Sequence, residues 1–518
     1  MNLALSYLAL LASALVASRR AAHALHMWQM DSYLNHRYLQ WLFAKPVARY
    51  IDLPSLGLAL LALFLAIPFS APMWTVWCAW LFLRKNNTPV KKPLNLTVRA
   101  RRTLWAARVL LFLAVLLPGP WPIVAVFLLH AAPWAVLAAN ELLKPVQAHI
   151  NKGFLKSASA RLAELKPLVI GIAGSYGKTS TKYFLDVLLS EKFTVVKSPG
   201  NYNTLLGITR VINESLRPEH KILIAEMGAY RRGEVKEIAD LVHPKIGIIC
   251  SIGPEHFERF LSMDNIERTN YELIEELPAD GLAVFNGAND HCRKLAAQTR
   301  HTRVALYGLS NDGQCDLWAE DIQHTSEGLR FTIITREGQR ATAAAPIAGR
   351  HMVLNILGAT RVALEMGLTI DEIVRGIAKL MPAPHRLEIK QGAGGTTIID
   401  DSYNSNPVGA AEALYVLSQF KGGKRLLVTP GMIELGSLHR EENEKLGRLA
   451  AQSADFIFLV GAEQTRPIQD GLRAAGFDES NLRIVKDLQE VTAMFPKLLR
   501  PGDTILFEND LPDLYTEN

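Results

Sequence analysis

The run Val169-Ile-Gly-Ile-Ala-Gly-Ser-Tyr-Gly-Lys-Thr-Ser-Thr-Lys182 constrains this chain more than any other stretch. Apolar residues from Leu168 to Ala173 predict a buried strand, the glycines after them a tight turn, and the spacing from Thr179 to Leu189 a helix. Strand, glycine-rich turn and helix in that order form the frame of a phosphate-binding loop. Gly174 and Gly177 let backbone N–H groups close around an anion, and Lys178 brings a mobile positive charge. The Thr179 hydroxyl is placed to reach a magnesium ion, while the helix N-terminus adds its dipole. The pattern G-x-x-x-x-G-K-[ST] is present only in its second half, because Ile172 stands where its first glycine belongs. Glycines kept for packing are the competing explanation, and the strand–helix context weighs against it.

Before this loop the chain is apolar in blocks. Residues 1–18 carry no charge and stop at Arg19-Arg20, with no basic residue ahead of the apolar run, so an uncleaved spanning helix fits better than a signal peptide. Residues 53–83 are uncharged and interrupted by Pro68-Phe-Ser-Ala-Pro72; residues 109–140 lack acids, lysines and arginines and are interrupted by Pro118-Gly-Pro-Trp-Pro122. Each block reads as a helical hairpin, which predicts five membrane segments in a module spanning residues 1–150. Arg19, Arg20, Arg37, Lys45 and Arg49 lie in residues 19–52, and Arg84, Lys85, Lys91, Lys92, Arg99, Arg101 and Arg102 in the loop 84–102. The hairpin tips hold no charge, so the basic loops are expected in the cytoplasm together with everything after about residue 144. Lipid headgroups are the expected partner of the basic loop, and nucleic acid is not. The expected location is the inner (cytoplasmic) membrane, crossed several times, with the remaining domains in the cytoplasm.

Beyond Lys144 short apolar runs alternate with helical ones, which predicts a parallel α/β sheet. Lys221-Ile-Leu-Ile-Ala-Glu-Met-Gly228 reads as a strand with Glu226 at its C-terminal end, where an open α/β sheet meets its ligand, so this carboxylate is a candidate magnesium ligand. Lys245-Ile-Gly-Ile-Ile-Cys-Ser-Ile-Gly-Pro-Glu-His256 is a further strand running into a loop that carries His256. The four cysteines, Cys78, Cys250, Cys292 and Cys315, show no C-x-x-C spacing and read as free thiols.

Gly174-Ser-Tyr-Gly-Lys-Thr-Ser180, Gly200-Asn-Tyr-Asn203, Ala225-Glu-Met-Gly228 and the His256 loop together resemble the ATP-binding central domain of the Mur ligases. Gly349-Arg-His-Met-Val-Leu-Asn355, His385-Arg-Leu387, Asp400-Asp-Ser-Tyr-Asn-Ser-Asn406 and Gly431-Met-Ile-Glu-Leu-Gly436 extend the resemblance over roughly residues 165–510, nearest to the branch that adds D-Ala-D-Ala to a UDP-linked muramoyl tripeptide. It implies a membrane module (1–150), a central ATP-binding domain (151–384) and a C-terminal Rossmann-like α/β domain (385–518). By the same resemblance Gly174, Ser175, Tyr176, Gly177, Lys178, Thr179 and Ser180 would line the phosphates of ATP, with Lys178 on the β/γ-phosphates. Thr179 and Glu226 would hold a first magnesium and His256 would approach a second; Asn355 would meet the adenine, and Arg386 with Asp401 would close on the nucleotide. Asn201, Asn203, Asn404 and Asn406 are substrate candidates, with Asx-turn formation as the alternative for Asn404 and Asn406.

The implied activity is an ATP-dependent amide ligase that turns a carboxylate into an acyl phosphate, which an amine then attacks, as in peptidoglycan precursor synthesis. Its partners would be ATP, Mg2+, carboxylate- and amine-bearing peptides (the carboxylate substrate expected to be lipid-linked) and the bilayer. A membrane-bound ligase for another polymer, such as a poly-glutamate capsule, and a non-ligase ATP-driven membrane module are the alternatives. Three departures from the family stand out. Asn270 occupies the place of a carbamylated lysine, Phe507-Glu-Asn-Asp-Leu-Pro-Asp513 replaces a Lys-Gly-Ser stretch, and a uridine-nucleotide domain is absent from the N-terminal side.

Overall fold

A computed structural model describes residues 2–30, 33–44, 51–84, 93–311, 313–325, 327–403 and 405–510. Two compact units divide the chain, Met1–Lys152 and Gly153–Asp510.

The first unit is helical. Its helices are Asn2–Met30, Asn35–Ala44, Leu53–Phe64, Ile67–Leu83, Val98–Leu113 and Trp121–His130, followed by the beginning of Ala132–Leu165. The long first helix turns small residues inward: Ala14, Ala17, Ala21 and Ala24 are buried, while Leu8, Leu11 and Leu15 face outward. Small inside and large apolar outside is the packing of helices whose surroundings are themselves apolar. Polar side chains around Arg20 are satisfied within the unit. Arg20 pairs with Asp52 at 2.6 Å and donates to the Leu129 carbonyl, and the Asp52 N–H donates to His130 Nε2.

The five expected membrane segments are not reproduced as five full spans. Among the described residues only Asn2–Met30 is by itself long and apolar enough to cross a bilayer; Trp121–His130 with Ala132–Leu165 makes a second only if that pair, bent by 68°, counts as one span. The predicted break at Pro68–Pro72 is displaced. Leu65 and Ala66 interrupt the helix, Pro68 sits in the first turn of the next one, where its missing N–H costs nothing, and Pro72 is accommodated inside. The second apolar block does break around Pro118–Pro120, and then again at Ala131, ahead of Pro133. Of the basic residues used for orientation, Lys45, Arg49, Lys85, Lys91 and Lys92 lie outside the described residues.

The second unit holds two sheets. The first has nine strands: β1 (Leu168–Ala173), β2 (Val195–Lys197), β3 (Ile222–Glu226), β4 (Ile246–Ile249), β5 (Leu282–Asn286), β6 (Arg303–Gly308), β7 (Leu317–Thr325), β8 (Gly328–Thr335) and β9 (Arg340–Ala345). They lie in the order β2-β3-β1-β4-β5-β6-β7-β8-β9. Alternate residues of β1 face opposite layers. Ile170 and Ile172 pack with Phe184, Leu185 and Leu188 of helix Lys178–Leu189, and Val169 and Ala173 pack with Ile208, Ile238 and Leu273 on the other side. The wholly parallel sheet expected from the sequence is corrected at one end, because β7 pairs with β8, and β8 with β9, in antiparallel fashion. The links between these strands are too short for a crossover helix, so they close as hairpins.

The second sheet contains β10 (Glu388–Gln391), β11 (Thr397–Asp401), β12 (Arg425–Thr429), β13 (Phe456–Val460), β14 (Leu482–Val485) and β15 (Thr504–Glu508), in the order β10-β11-β15-β12-β13-β14. Only β10 runs antiparallel to its neighbour. In both sheets, adjacent parallel strands bring their C-terminal ends together, and those ends carry the polar residues considered next.

Candidate active site

Gly174 and Gly177 have φ values of 131° and 84°, a left-handed range that favours glycine, so the backbone after β1 turns sharply into helix Lys178–Leu189. A side chain on Gly177 would strike the Asn355 carboxamide, which closes over the turn. The loop is held from beneath: Ser175 and Tyr176 N–H both donate to the Ser251 carbonyl, at 2.6 and 3.2 Å. Ser175 Oγ also donates to the Gly253 carbonyl, and Ser180 is buried in the helix. Tyr176 packs its ring against Gly253, and burial pushes its phenol pKa well up. Ser175 and Tyr176 thus fix the loop's shape through its underside.

Lys178 curls over its own loop, donating to the Gly174 and Ser175 carbonyls at 2.5 and 2.9 Å and pairing with Glu255 at 2.9 Å. A phosphate in the loop would displace those weaker acceptors. At the end of β3, Glu226 is buried and accepts from Thr179 Oγ1 at 3.1 and 3.2 Å and from Asn203 Nδ2 at 3.2 Å. Thr179 and Glu226 present two hard oxygen ligands at the loop mouth, the donor set that suits magnesium. Lys182 completes this group, although the sequence reading passed over it. Its fully buried ammonium lies 2.8 Å from Glu226 and donates to the Gly200 carbonyl. Its position one helical turn after Lys178 was the available signal.

Asn270, in the place of the carbamylated lysine, accepts from the Gly174 N–H at 2.7 Å and donates to the Ile266 carbonyl at 2.8 Å. Its carbonyl oxygen is spent on the loop backbone. His256, at φ 50°, faces Glu434 from the loop after β12, and Arg259 reaches the same carboxylate at 3.1 Å. The Tyr230 ring lies against His256 and Arg259, tilted 55° to the His256 ring and with the Arg259 guanidinium 4.1 Å from its centre. His256 therefore makes its contact with the C-terminal domain, and its hydrogen bonds do not include Thr179 or Glu226. Glu434 lies in the Gly431–Gly436 motif but was not singled out from sequence.

From the C-terminal domain, Arg386 lies over the Tyr403 ring at 4.5 Å. Burial raises the Tyr403 pKa, against the opposing pull of Arg386. Asp401 accepts from the Leu387 N–H at 3.1 Å and stands in register with Glu508 across β11 and β15. Both carboxyls are buried and both pKa values are raised, Glu508 by burial and then by Asp401, and Asp401 by burial against the opposing pull of Arg386. Ser405 caps Glu508 with a hydrogen bond at 2.5 Å. Asn406 caps helix Pro407–Ser418, its side chain accepting from the Gly409 N–H at 2.9 Å, a local side-chain-to-backbone bond of the kind held open as its alternative. Asn404 lies outside the described residues.

The Mur ligase middle domain family matches residues 172–363, and the Mur ligase, glutamate ligase domain family matches residues 385–508. Among curated proteins, the UDP-N-acetylmuramoyl-tripeptide–D-alanyl-D-alanine ligase of Mycobacterium tuberculosis is 30% identical over 403 residues, covering 71% of this chain and 78% of its own. The chain belongs to the Mur ligase family. The Bacillus subtilis ligase of the same name is 28% identical, over 68% of this chain and 75% of its own. A crystal structure of MurF from Acinetobacter baumannii superposes with a TM-score of 0.62 at 26% identity, covering 70% of this chain and 78% of that one. The protein is accordingly an ATP-dependent C–N ligase.

Proposed function

We propose that this ligase joins D-alanyl-D-alanine to the carboxylate of a muramoyl tripeptide precursor, and that it works at the cytoplasmic face of the inner membrane. The observation that carries the ligase reading is the loop after β1, where Lys178 meets Glu255 and the adjacent Thr179 meets Glu226 at the end of β3. Transfer of a phosphoryl group to a carboxylate brings two anions together. Lys178 and the loop N–H groups are placed to meet the charge that develops on the phosphoryl oxygens. Magnesium, which Thr179 and Glu226 would hold, supplies further neutralisation of that charge. Closure of the C-terminal loop excludes water from the acyl phosphate until the amine attacks.

The membrane reading rests on the first unit, where large apolar side chains such as Phe64, Phe69, Val76, Leu83 and Leu116 point outward around small buried ones. The test is ADP release by the full chain with muramoyl tripeptide and D-Ala-D-Ala, each omitted in turn, with UDP-linked and lipid-linked forms compared. Turnover requiring both substrates is expected, and Lys178→Ala should lower it by about 10²–10³-fold without unfolding the protein. ADP release that ignores the amine would sink the ligase assignment.

A further inference from the structure

The first unit contains an open depression of about 250 Å³, solvent included, lined by Arg99, Arg102, Thr103, Asn140 and Gln147 with Leu143 and Val146. We propose that it binds the phosphate of an anionic lipid headgroup, a proposal that rests on the reading of this unit as a membrane module.

The cations are held in place by groups that leave them charged. Arg99 lies 4.1 Å over the Tyr33 ring and 5.9 Å from that of Trp28, contacts that hold the guanidinium without neutralising it. Gln147 accepts from Arg102 at 2.6 Å and passes a hydrogen bond on to Asn151. Neither arginine forms an ion pair with a carboxylate among the described residues. Glu141, beside Asn140 in sequence, is already taken by Lys144 at 2.6 Å and by Asn35.

The neutral groups point the same way. Thr103 is 2% exposed and lines the depression. Asn140, 7% exposed, has only a 3.5 Å contact to Asn35. Helix Val98–Leu113 begins here, capped by Thr97, so its positive dipole end adds to the two arginines. Two guanidiniums without a carboxylate partner among the described residues, a threonine hydroxyl, an amide and a helix N-terminus make a site for a phosphate's equatorial oxygens. Trp105, Val109 and Phe112, exposed along the same helix, continue into an apolar surface suited to acyl chains. That continuity commits the occupant to a lipid phosphate over a soluble one.

The test uses the full chain in nanodiscs of phosphatidylcholine alone and with added phosphatidylglycerol, released for native mass spectrometry that counts retained lipids, with inorganic pyrophosphate as a soluble competitor. Retained phosphatidylglycerol is expected, reduced about thirtyfold in Arg99→Gln/Arg102→Gln, from two cations each contributing ~1 kcal/mol at a lipid surface. Thr103→Val, which preserves shape and fold, should weaken retention as well, and Arg102→Lys should keep most of it. Equal retention of both lipids by wild type and variants overturns the site while leaving the membrane reading intact. Pyrophosphate binding without lipid retention overturns the lipid assignment, and failure of the chain to enter any nanodisc overturns the membrane reading and this site with it.

Discussion

The two sheets of the ligase end in the same way and are charged in opposite ways. In the first, the neighbouring strands β1 and β3 deliver a buried carboxylate, Glu226, to a lysine that is itself fully buried. In the second, the neighbouring strands β11 and β15 deliver Asp401 to Glu508, two buried acids with no lysine between them. A buried carboxylate beside an ammonium has its counter-charge at hand. A buried carboxylate beside another carboxylate keeps a proton, because the pair cannot both ionise in a medium that solvates charge poorly. The same backbone arrangement thus yields an ion-paired edge in one domain and a proton-sharing edge in the other, and the side chain that each carboxylate meets decides which.

The sharpest way to break this contrast is to remove the counter-charge at the first edge. Lys182→Met leaves Glu226 buried without its ammonium and should cost about 3–5 kcal/mol of stability, read by chemical denaturation. Adding Glu226→Gln should recover much of that loss. A cost below about 1 kcal/mol would show that Thr179 and Asn203 alone suffice for Glu226.

A smaller effect is expected at the second edge, with a definite sign. The raised pKa values of Asp401 and Glu508 mean that the folded chain binds protons more tightly there than the unfolded chain. The contribution of the pair is fully present below the unfolded carboxylate range, near pH ~4, and is lost as pH rises toward the folded values. Glu508→Gln can still accept from Ser405 and can donate to Asp401, so it should stabilise by about 1–3 kcal/mol at pH 8 and by less at pH 5. Melting temperatures across that range measure it, and a difference that does not grow with pH would deny the shared proton.

The smallest expected effect is none. Asn270 already uses its carbonyl on the Gly174 N–H, so no lysine carbamate is needed at that place. ADP release should be the same in bicarbonate-depleted and bicarbonate-replete buffer. Stimulation by bicarbonate would mean that a carbamylated lysine acts elsewhere in the site.

Much of the first edge was legible in the sequence, since its parts are local. Leu168–Ala173 alternates as a strand, Gly174 and Gly177 mark the turn, and Lys178 and Thr179 open the helix, all within one short stretch. Glu226 followed from its place at the end of another apolar run. Lys182 was missed because a lysine on an amphipathic helix ordinarily points to water, and only the arrival of β3 buries it. Glu434 was missed as a partner of His256 because the two lie 178 residues apart in different domains. The acidic Phe507–Asp513 stretch was visible as a departure, but its consequence was not, since that depended on β15 lying next to β11.

The amino-acid order by itself determined where strands, turns and helices form, because apolar periodicity and glycine positions act over a few residues. It also determined that the N-terminal helices carry more apolar surface than they can bury among themselves. The tertiary structure alone decided which charges meet. Attraction and desolvation depend on distances of a few ångströms and on exclusion of water, and residues far apart in the chain acquire both only when the sheets assemble.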